Sequence, residues 1–247
     1  MRALLAFFTV LPIGVPGTSL EDAARRAYLL PLVGFLAGLP GAALLLLAHD
    51  VLPPGVAATL ALGAVLLTVG LHHTDGVMDA GDALMVRGSP ERRREVLKDD
   101  RVGVGAIGAL FILYAPTLAA LAVLASVSPV RAASALLASE VAARSAMLLL
   151  LVFGKTAEEG SSSVPFVRSL KEGGRRVAAL SLALALPPLV ALPLGWYAIL
   201  LALAGPAATV SFALALAKRA FGGISGDVVG ATGELARAVL LVALSAI

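Results

Sequence analysis

The sequence contains no cysteine and few charged residues. None of its 247 residues is a cysteine, which excludes disulfide bonds, thiolate catalysis and cysteine-ligated zinc. Charged residues make up 14% of the chain and hydrophobic residues 59%, whereas about a quarter of the residues of a typical soluble domain are charged. This composition and a mean hydropathy of +0.96 exclude an ordinary soluble domain and predict an integral membrane protein.

Apolar segments recur along the chain at lengths suited to a bilayer, which a helix crosses with roughly 20 residues. They lie at about 28–48, 55–72, 104–125, 131–153, 177–195, 196–217 and 232–247. The last segment is short, and almost no loop separates the two that meet at Gly195, so either region could be re-entrant. We predict an all-α fold, with one domain over residues 1–247 built as a polytopic bundle of six to seven transmembrane helices.

The apolar run at residues 3–11 superficially resembles a secretory signal peptide. Pro12 and Pro16 stand where a signal peptide would have small residues at a cleavage site. We therefore expect this segment to be retained as a short interfacial or re-entrant helix.

Basic residues are distributed unevenly between the loops. With the N-terminus inside, the connections 73–101, 154–176 and 218–231 lie on one side and carry many cations, whereas only Arg131 falls in an opposite loop. Short loops rich in lysine and arginine mark the cytoplasmic side of membrane proteins. The bias predicts that these connections are cytoplasmic in a cell (plasma) membrane. The basic loops that orient the helices in the membrane account for the net charge of +3, so no nucleic-acid partner is expected.

Three aspartates follow directly from an apolar segment. Asp75, Asp79 and Asp82 are spaced i, i+4 and i+7, which places them within about 60° on one helical face. Like charges repel unless a cation neutralises them, and oxygen-only ligands favour Mg²⁺ or Mn²⁺ over zinc. The alternative is a solvated helix end with ordinary acidic residues. The position at the membrane boundary favours a metal site, and Gly76 and Gly81 would leave room for a bulky ligand.

A second polar segment precedes the next apolar span. Lys98, Asp99 and Arg101 come immediately before a helix whose first turn carries glycine. Backbone N–H groups at a helix N-terminus, the helix dipole and nearby cations can together hold a phosphate. The cations at 92–94 are equally well explained by lipid headgroups or membrane orientation.

A third polar segment, residues 222–234, is rich in glycine and includes Asp227. Glycine-rich membrane segments are more often packing surfaces than binding sites. Because Asp227 adds a carboxylate on the predicted cytoplasmic side, we interpret this segment as a second half of the site. The three segments should then converge in one cavity that faces the cytoplasm.

Two further groups have alternative explanations. Glu140 and Arg144 form an i, i+4 pair inside a predicted span. They are either a structural ion pair or a site where the arginine contacts an anionic substrate. His72 and His73 begin the acidic segment and receive no function, because a histidine there is more often packed than metal-bound.

The order and spacing of these segments resemble the cobalamin synthase family, the adenosylcobinamide-GDP ribazoletransferases. The resemblance covers most of the chain, beginning at residues 8–12 and 30–34. It is most specific at 75–82 and 98–103, and it ends with the glycine pairs and Asp227 of 222–231.

The resemblance implies the last assembly step of a corrinoid. The 5′-hydroxyl of α-ribazole, or of its phosphate, attacks the cobinamide-side phosphorus of adenosylcobinamide-GDP. GMP leaves, and adenosylcobalamin or its 5′-phosphate forms. The protein would act in the lipid bilayer on these small substrates, with a homo-oligomer as an open alternative.

The resemblance also assigns residues to the reaction. Mg²⁺ would be bound by Asp75, Asp79 and Asp82, and Asp227 would add a ligand or accept the attacking proton. These four aspartates are the expected catalytic residues. The expected substrate- or phosphate-binding residues are Lys98, Asp99, Arg101, Gly103, Arg144 and Gly226.

Two other functions compete with this interpretation. A CDP-alcohol phosphatidyltransferase would also use aspartates and magnesium, but its signature has Ala-Arg after Asp-Gly, where this chain has Val77 and Met78. A secondary transporter would place its polar groups near the membrane midplane, whereas here they gather towards one side.

Overall fold

The computed structural model describes residues 1–13 and 19–247. Within these ranges the chain forms twelve α-helices, two short 3-10 helices and no β-strand. The α-helices are α1 (Arg2–Phe8), α2 (Leu20–Ala24), α3 (Leu30–Leu47), α4 (Pro54–Thr68), α5 (His72–Met85), α6 (Pro90–Val96), α7 (Val104–Val127), α8 (Pro129–Phe153), α9 (Val164–Leu170), α10 (Arg175–Ala191), α11 (Trp196–Phe221) and α12 (Gly226–Ser245). Pro16, one of the two prolines that argue against a cleavage site, lies outside the described residues.

Six helical segments of the described chain are long and apolar enough to cross a membrane. They are Ala27–Leu47, Val104–Val127, Pro129–Phe153, Arg175–Leu194, Trp196–Phe221 and Gly226–Ser245. Helices α4 and α5 pass the same test only as a pair, with a bend of 95° between them. The prediction of an all-α, multi-pass membrane protein with six to seven spans is confirmed.

The bend falls at a place that the hydropathy pattern does not reveal. Helix α12 is a full 20-residue helix, and the segments on either side of Gly195 have 20 and 26 residues. None of these three segments is as short as a re-entrant segment would be. The interruption lies instead between α4 and α5, inside the stretch where one apolar segment runs into the acidic residues.

Two residues with left-handed backbone make this bend. Gly70 and Leu71 have φ angles of 72° and 62°, which no α-helix accommodates. Helix α4 has 15 residues and rises only about 22 Å, less than the roughly 30 Å of a hydrocarbon core. The chain therefore turns before α4 is long enough to cross alone, and α5 leaves in a new direction.

Helix α8 lies at the centre of the bundle. Most of its residues are buried, and it packs against α3, α7, α10, α11 and α12. Small side chains let membrane helices approach closely. On α3, Gly34 lies where an added Cβ atom would overlap the backbone oxygen of Glu140.

Two glutamates and two arginines form a buried network between α8 and α12. Arg144 donates to Glu140 at 2.9 Å, and Arg237 donates to both Glu140 and Glu234. All four side chains are at most 1% exposed. Each charge needs its partner because an isolated buried ion costs several kcal/mol in a protein interior.

This network favours one of the two alternatives for Arg144. The Arg144 side chain is fully buried, and it donates a hydrogen bond to Glu140 within the same helix. This position agrees with a structural ion pair, and contact with an anionic substrate stays a prediction. Sequence reasoning missed Arg237, although its i, i+3 spacing from Glu234 was a visible signal.

Candidate active site

The aspartates of α5 lie at the surface of the bundle. Asp75 is exposed, and Asp79 and Asp82 are partly buried. The two glycines between them are buried and pack against neighbouring helices. A Cβ atom on Gly76 would lie 2.6 Å from the backbone oxygen of Asp227, and one on Gly81 would lie 2.6 Å from that of Gly105. Gly76 and Gly81 thus permit close packing of α5 between α12 and α7.

The close approach at Gly76 brings Asp227 beside α5. Asp227 lies in the first turn of α12, where the helix dipole stabilises a negative charge. Ser225 donates its hydroxyl hydrogen to the Asp227 carboxylate at 3.2 Å and accepts the Val228 N–H at 3.3 Å. The N-terminal cap of α12 therefore also orients Asp227.

Asp82 joins α5 to the segment before α7. Its Oδ2 accepts the Gly103 N–H at 2.7 Å, and its Oδ1 accepts the Ala106 N–H at 2.9 Å. The first N–H groups of a helix have no partner within the helix, so Asp82 caps α7 from another element. The Gly103 N–H, expected to contact a phosphate, is already bonded to this carboxylate.

Asp79 is surrounded by other acidic groups. The charges that act on its carboxylate belong to Asp75, Asp227, Asp82 and Asp100. No group of three or more histidine, aspartate or glutamate side chains in residues 1–13 and 19–247 is close enough to form a metal cluster. The site therefore has a concentration of negative charge without a closed protein cage.

The predicted phosphate-binding cations are exposed and paired with nearby acids. Lys98 donates to Glu158 at 2.5 Å, and Arg101 donates to Asp99 at 2.6 Å and 2.9 Å. Hydrogen bonds from Arg101 lower the pKa of Asp99 from 3.8 to about 2. The Lys98 and Arg101 side chains are 67% and 89% exposed, so neither is held rigidly by packing.

Glu158 belongs to the site although sequence reasoning passed over it. Besides Lys98, it accepts a hydrogen bond from Arg94 at 3.0 Å, and Arg94 also donates to the Phe221 carbonyl at 2.7 Å. Lys98 and Arg94 lower the pKa of Glu158. This glutamate ties the 154–163 loop to α6 and to the end of α11. No local pattern marks it, because its partners are 60 and 64 positions away.

Three cavities surround α5. The first, here called the aromatic cavity, has about 300 Å³ and is lined by Phe7, Phe8, Phe166, His73, Asp75 and Asp227, among others. The second, the polar cavity, has about 240 Å³ and includes Asp75, Asp79, Asp82, Lys98, Asp99 and Arg101. The third, the apolar cavity, has about 1120 Å³ between α7, α11 and α12.

Neighbouring cavities share lining residues. Asp75 lines both the aromatic and the polar cavity. Asp82, Asp99 and Arg101 line both the polar and the apolar cavity. The structure thus brings the segments 75–82, 98–103 and 222–234 together. Gly226 lies at the aromatic cavity, where an added Cβ atom would overlap Ser162 Oγ.

The fold and this site define a multi-pass helical membrane protein with carboxylates and cations around a phosphate-sized cavity. The protein-family model described as cobalamin-5-phosphate synthase matches residues 1–245 of the chain. The chain therefore belongs to this family.

Curated relatives agree with the family match. The adenosylcobinamide-GDP ribazoletransferase of Methanocella arvoryzae is 31% identical, covering 100% of this chain and 95% of the relative. Those of Halorubrum lacusprofundi and Azorhizobium caulinodans are 34% and 36% identical, covering 98% and 97% of this chain and 94% and 92% of the relatives. No solved structure matches the chain. The family match favours a cobalamin synthase over a phosphatidyltransferase or a transporter.

Proposed function

We propose that this chain transfers the cobinamide phosphate of adenosylcobinamide-GDP to α-ribazole or to α-ribazole 5′-phosphate, with release of GMP. The observation that carries the proposal is the match over nearly the whole chain to relatives with this name. The site supports it, because carboxylates and cations meet at a cavity large enough for a diphosphate.

The proposed reaction transfers the cobinamide phosphate from GMP to a hydroxyl group of the acceptor. The 5′ oxygen of α-ribazole 5′-phosphate is already esterified, so the expected attack by a 5′-hydroxyl cannot apply to both acceptors. A free ring hydroxyl of the ribose bonds instead to the cobinamide-side phosphorus, and the bond from this phosphorus to the bridging oxygen breaks. GMP leaves with the electron pair of that bond. Asp227 is the proposed acceptor of the hydroxyl proton, because it lines the aromatic cavity together with Asp75, which also lines the polar cavity.

The donor atoms of the site fit Mg²⁺. Magnesium is commonly held by one or two carboxylates with substrate phosphates and water, rather than by a closed protein cage. Asp75 and Asp79 would supply such carboxylates in the polar cavity, whereas both oxygens of Asp82 already accept N–H groups in and before α7. Bound Mg²⁺ would neutralise charge on the transferring and leaving oxygens.

Lys98 and Arg101 are proposed to bind the diphosphate. Exposed ion pairs contribute little free energy, typically below about 1 kcal/mol. Exchange of Glu158 and Asp99 for phosphate oxygens therefore costs little. Arg101 also lines the apolar cavity, so it is placed to bind a phosphate that carries a large apolar group.

The site is proposed to face the cytoplasm from the plasma membrane. The loops that build it, 86–103 and 154–163, belong to the connections that carry the basic residues. The positive-inside rule assigns such loops to the cytoplasmic side. Charged, water-soluble substrates would reach it there without crossing the bilayer.

The test is direct assembly of the product. Purified protein in detergent is incubated with adenosylcobinamide-GDP, α-ribazole and Mg²⁺, and the release of GMP and formation of cobalamin are measured. Equal amounts of the two products are expected. Asp50→Asn, a change of an exposed carboxylate that lines none of the three cavities, serves as a control that keeps activity. Absence of both products from well-folded protein would overturn the proposed function.

A further inference from the structure

We infer that the aromatic cavity binds the aromatic base of the acceptor nucleoside. The inference rests on the proposed function and adds a binding site for the second substrate, the acceptor. The cavity lies between α1, α9 and the first turns of α5 and α12. Its residues are distinct from the Lys98 and Arg101 cations that are proposed to bind the donor.

Four aromatic rings form one wall of the cavity. The Phe7 and Phe8 rings of α1 lie 5.5 Å and 5.8 Å from the Phe166 ring of α9, between ring centroids. Phe8 also lies 6.0 Å from the His73 ring of α5. A planar base gains stacking and edge contacts from such rings without needing a particular hydrogen-bond pattern.

Polar residues of the reaction site also line the cavity. Asp75 and Asp227 line the cavity, together with the hydroxyl-bearing residues Ser162 and Ser163. A nucleoside has the same division, with an apolar planar base and a sugar that carries hydroxyls. With its base against the phenylalanines, its sugar would face the aspartates.

The volumes of the two cavities suit substrates of different size. The aromatic cavity has about 300 Å³, at the lower end of the range for small-molecule sites, roughly 300–1,000 Å³. A corrinoid macrocycle with its side chains is too large for it. The apolar cavity, at about 1120 Å³, is the larger space, and it opens on Arg101 at the other end of the polar cavity.

The order of the cavities also matches the direction of attack. Asp75 lines the aromatic and the polar cavity, so a ribose hydroxyl leaving the first enters the second directly. The acceptor would approach the phosphorus from the α12 side. The donor diphosphate would lie between Asp79, Lys98 and Arg101. Two substrates on opposite sides of one phosphorus are placed for displacement.

The test measures the KM of each substrate for Phe7→Ala. Phe7 is 43% exposed, so its removal should leave the fold intact. We expect the KM for α-ribazole to rise about tenfold, as loss of one base-stacking ring predicts. The KM for adenosylcobinamide-GDP and the kcat at saturating α-ribazole should stay within twofold. Phe166→Leu, at the buried side of the cavity, should give a similar rise.

Phe111→Ala is the matched control. Phe111 is 72% exposed on α7 and lines none of the three cavities, so both KM values should be unchanged. An unchanged KM for α-ribazole in Phe7→Ala, or a rise in the donor KM instead, would overturn the inference while wild-type turnover still supports the proposed function. If Phe166→Leu does not fold, Phe7→Ala alone decides.

Discussion

The carboxylate of Asp82 accepts the N–H of Gly103 at 2.7 Å and so closes the N-terminus of α7 from the neighbouring helix α5. Asp82→Ala removes this bond and that of Ala106. Loss of an N-terminal cap costs about 1 kcal/mol, with a range of roughly 0.5–2. We expect a lower midpoint of thermal unfolding in detergent, with Asp82→Asn between the alanine variant and the wild type. Equal stability of all three proteins would contradict the capping role.

Asp79→Asn, unlike Asp82→Ala, should not lower the stability of the protein. The charges acting on Asp79 are those of other aspartates, so removal of its charge relieves repulsion while it also removes a proposed metal ligand. Turnover should fall by orders of magnitude, and the unfolding midpoint should stay the same or rise. Rates of GMP release and thermal unfolding are the two measurements. Strong destabilisation together with unchanged Mg²⁺ dependence would instead indicate a structural role.

Removal of divalent cations should abolish turnover. Several carboxylates at one polar cavity repel a diphosphate unless a cation lies between them. GMP release is measured after treatment with EDTA and again after addition of Mg²⁺ in excess, and full recovery is expected. A chelated enzyme that keeps its full rate would exclude the metal-binding roles of Asp75 and Asp79.

Gly76→Ala should disturb the site through the backbone. Its new Cβ atom would lie 2.6 Å from the Asp227 oxygen and 2.9 Å from the Asp227 Cα, so α5 must move away from α12. We expect lower stability and a fall in kcat. Gly63→Ala on α4 is the control, because nothing lies within 4 Å of its added Cβ and alanine favours a helix by up to about 1 kcal/mol. Equal behaviour of the two variants would show that the close contact is unimportant.

Tyr114→Phe should uncouple α5 from the buried network. The Tyr114 hydroxyl lies 2.9 Å from Thr74 Oγ1 and donates to Glu234 Oε2 at 2.7 Å. Loss of a hydrogen bond to a buried carboxylate costs about 1.5–3 kcal/mol. The unfolding midpoint should fall, and kcat should fall with it because Thr74 adjoins Asp75. Tyr197→Phe, at a residue that is 55% exposed, should change neither quantity.

Sequence alone determined the features that depend on local composition and period. Hydropathy predicts the membrane-spanning helices because each must bury its own backbone hydrogen bonds and present apolar side chains to lipid. The i, i+4, i+7 spacing predicts that the three aspartates share a side of α5, because helical period is a local property. The order of motifs was enough to identify the family.

Only the tertiary structure decided which groups meet. The 95° bend depends on the backbone of Gly70 and Leu71, and leucine ordinarily avoids that conformation. The Arg237 bond to Glu140 spans 97 positions, and the aromatic cavity joins α1 to α9 and α5. Such contacts arise from packing of distant helices, and residue spacing along the chain carries no direct signal for them. For the same reason Asp82, which the sequence grouped with ligand-binding residues, has N–H partners in and before α7 that only the folded chain reveals.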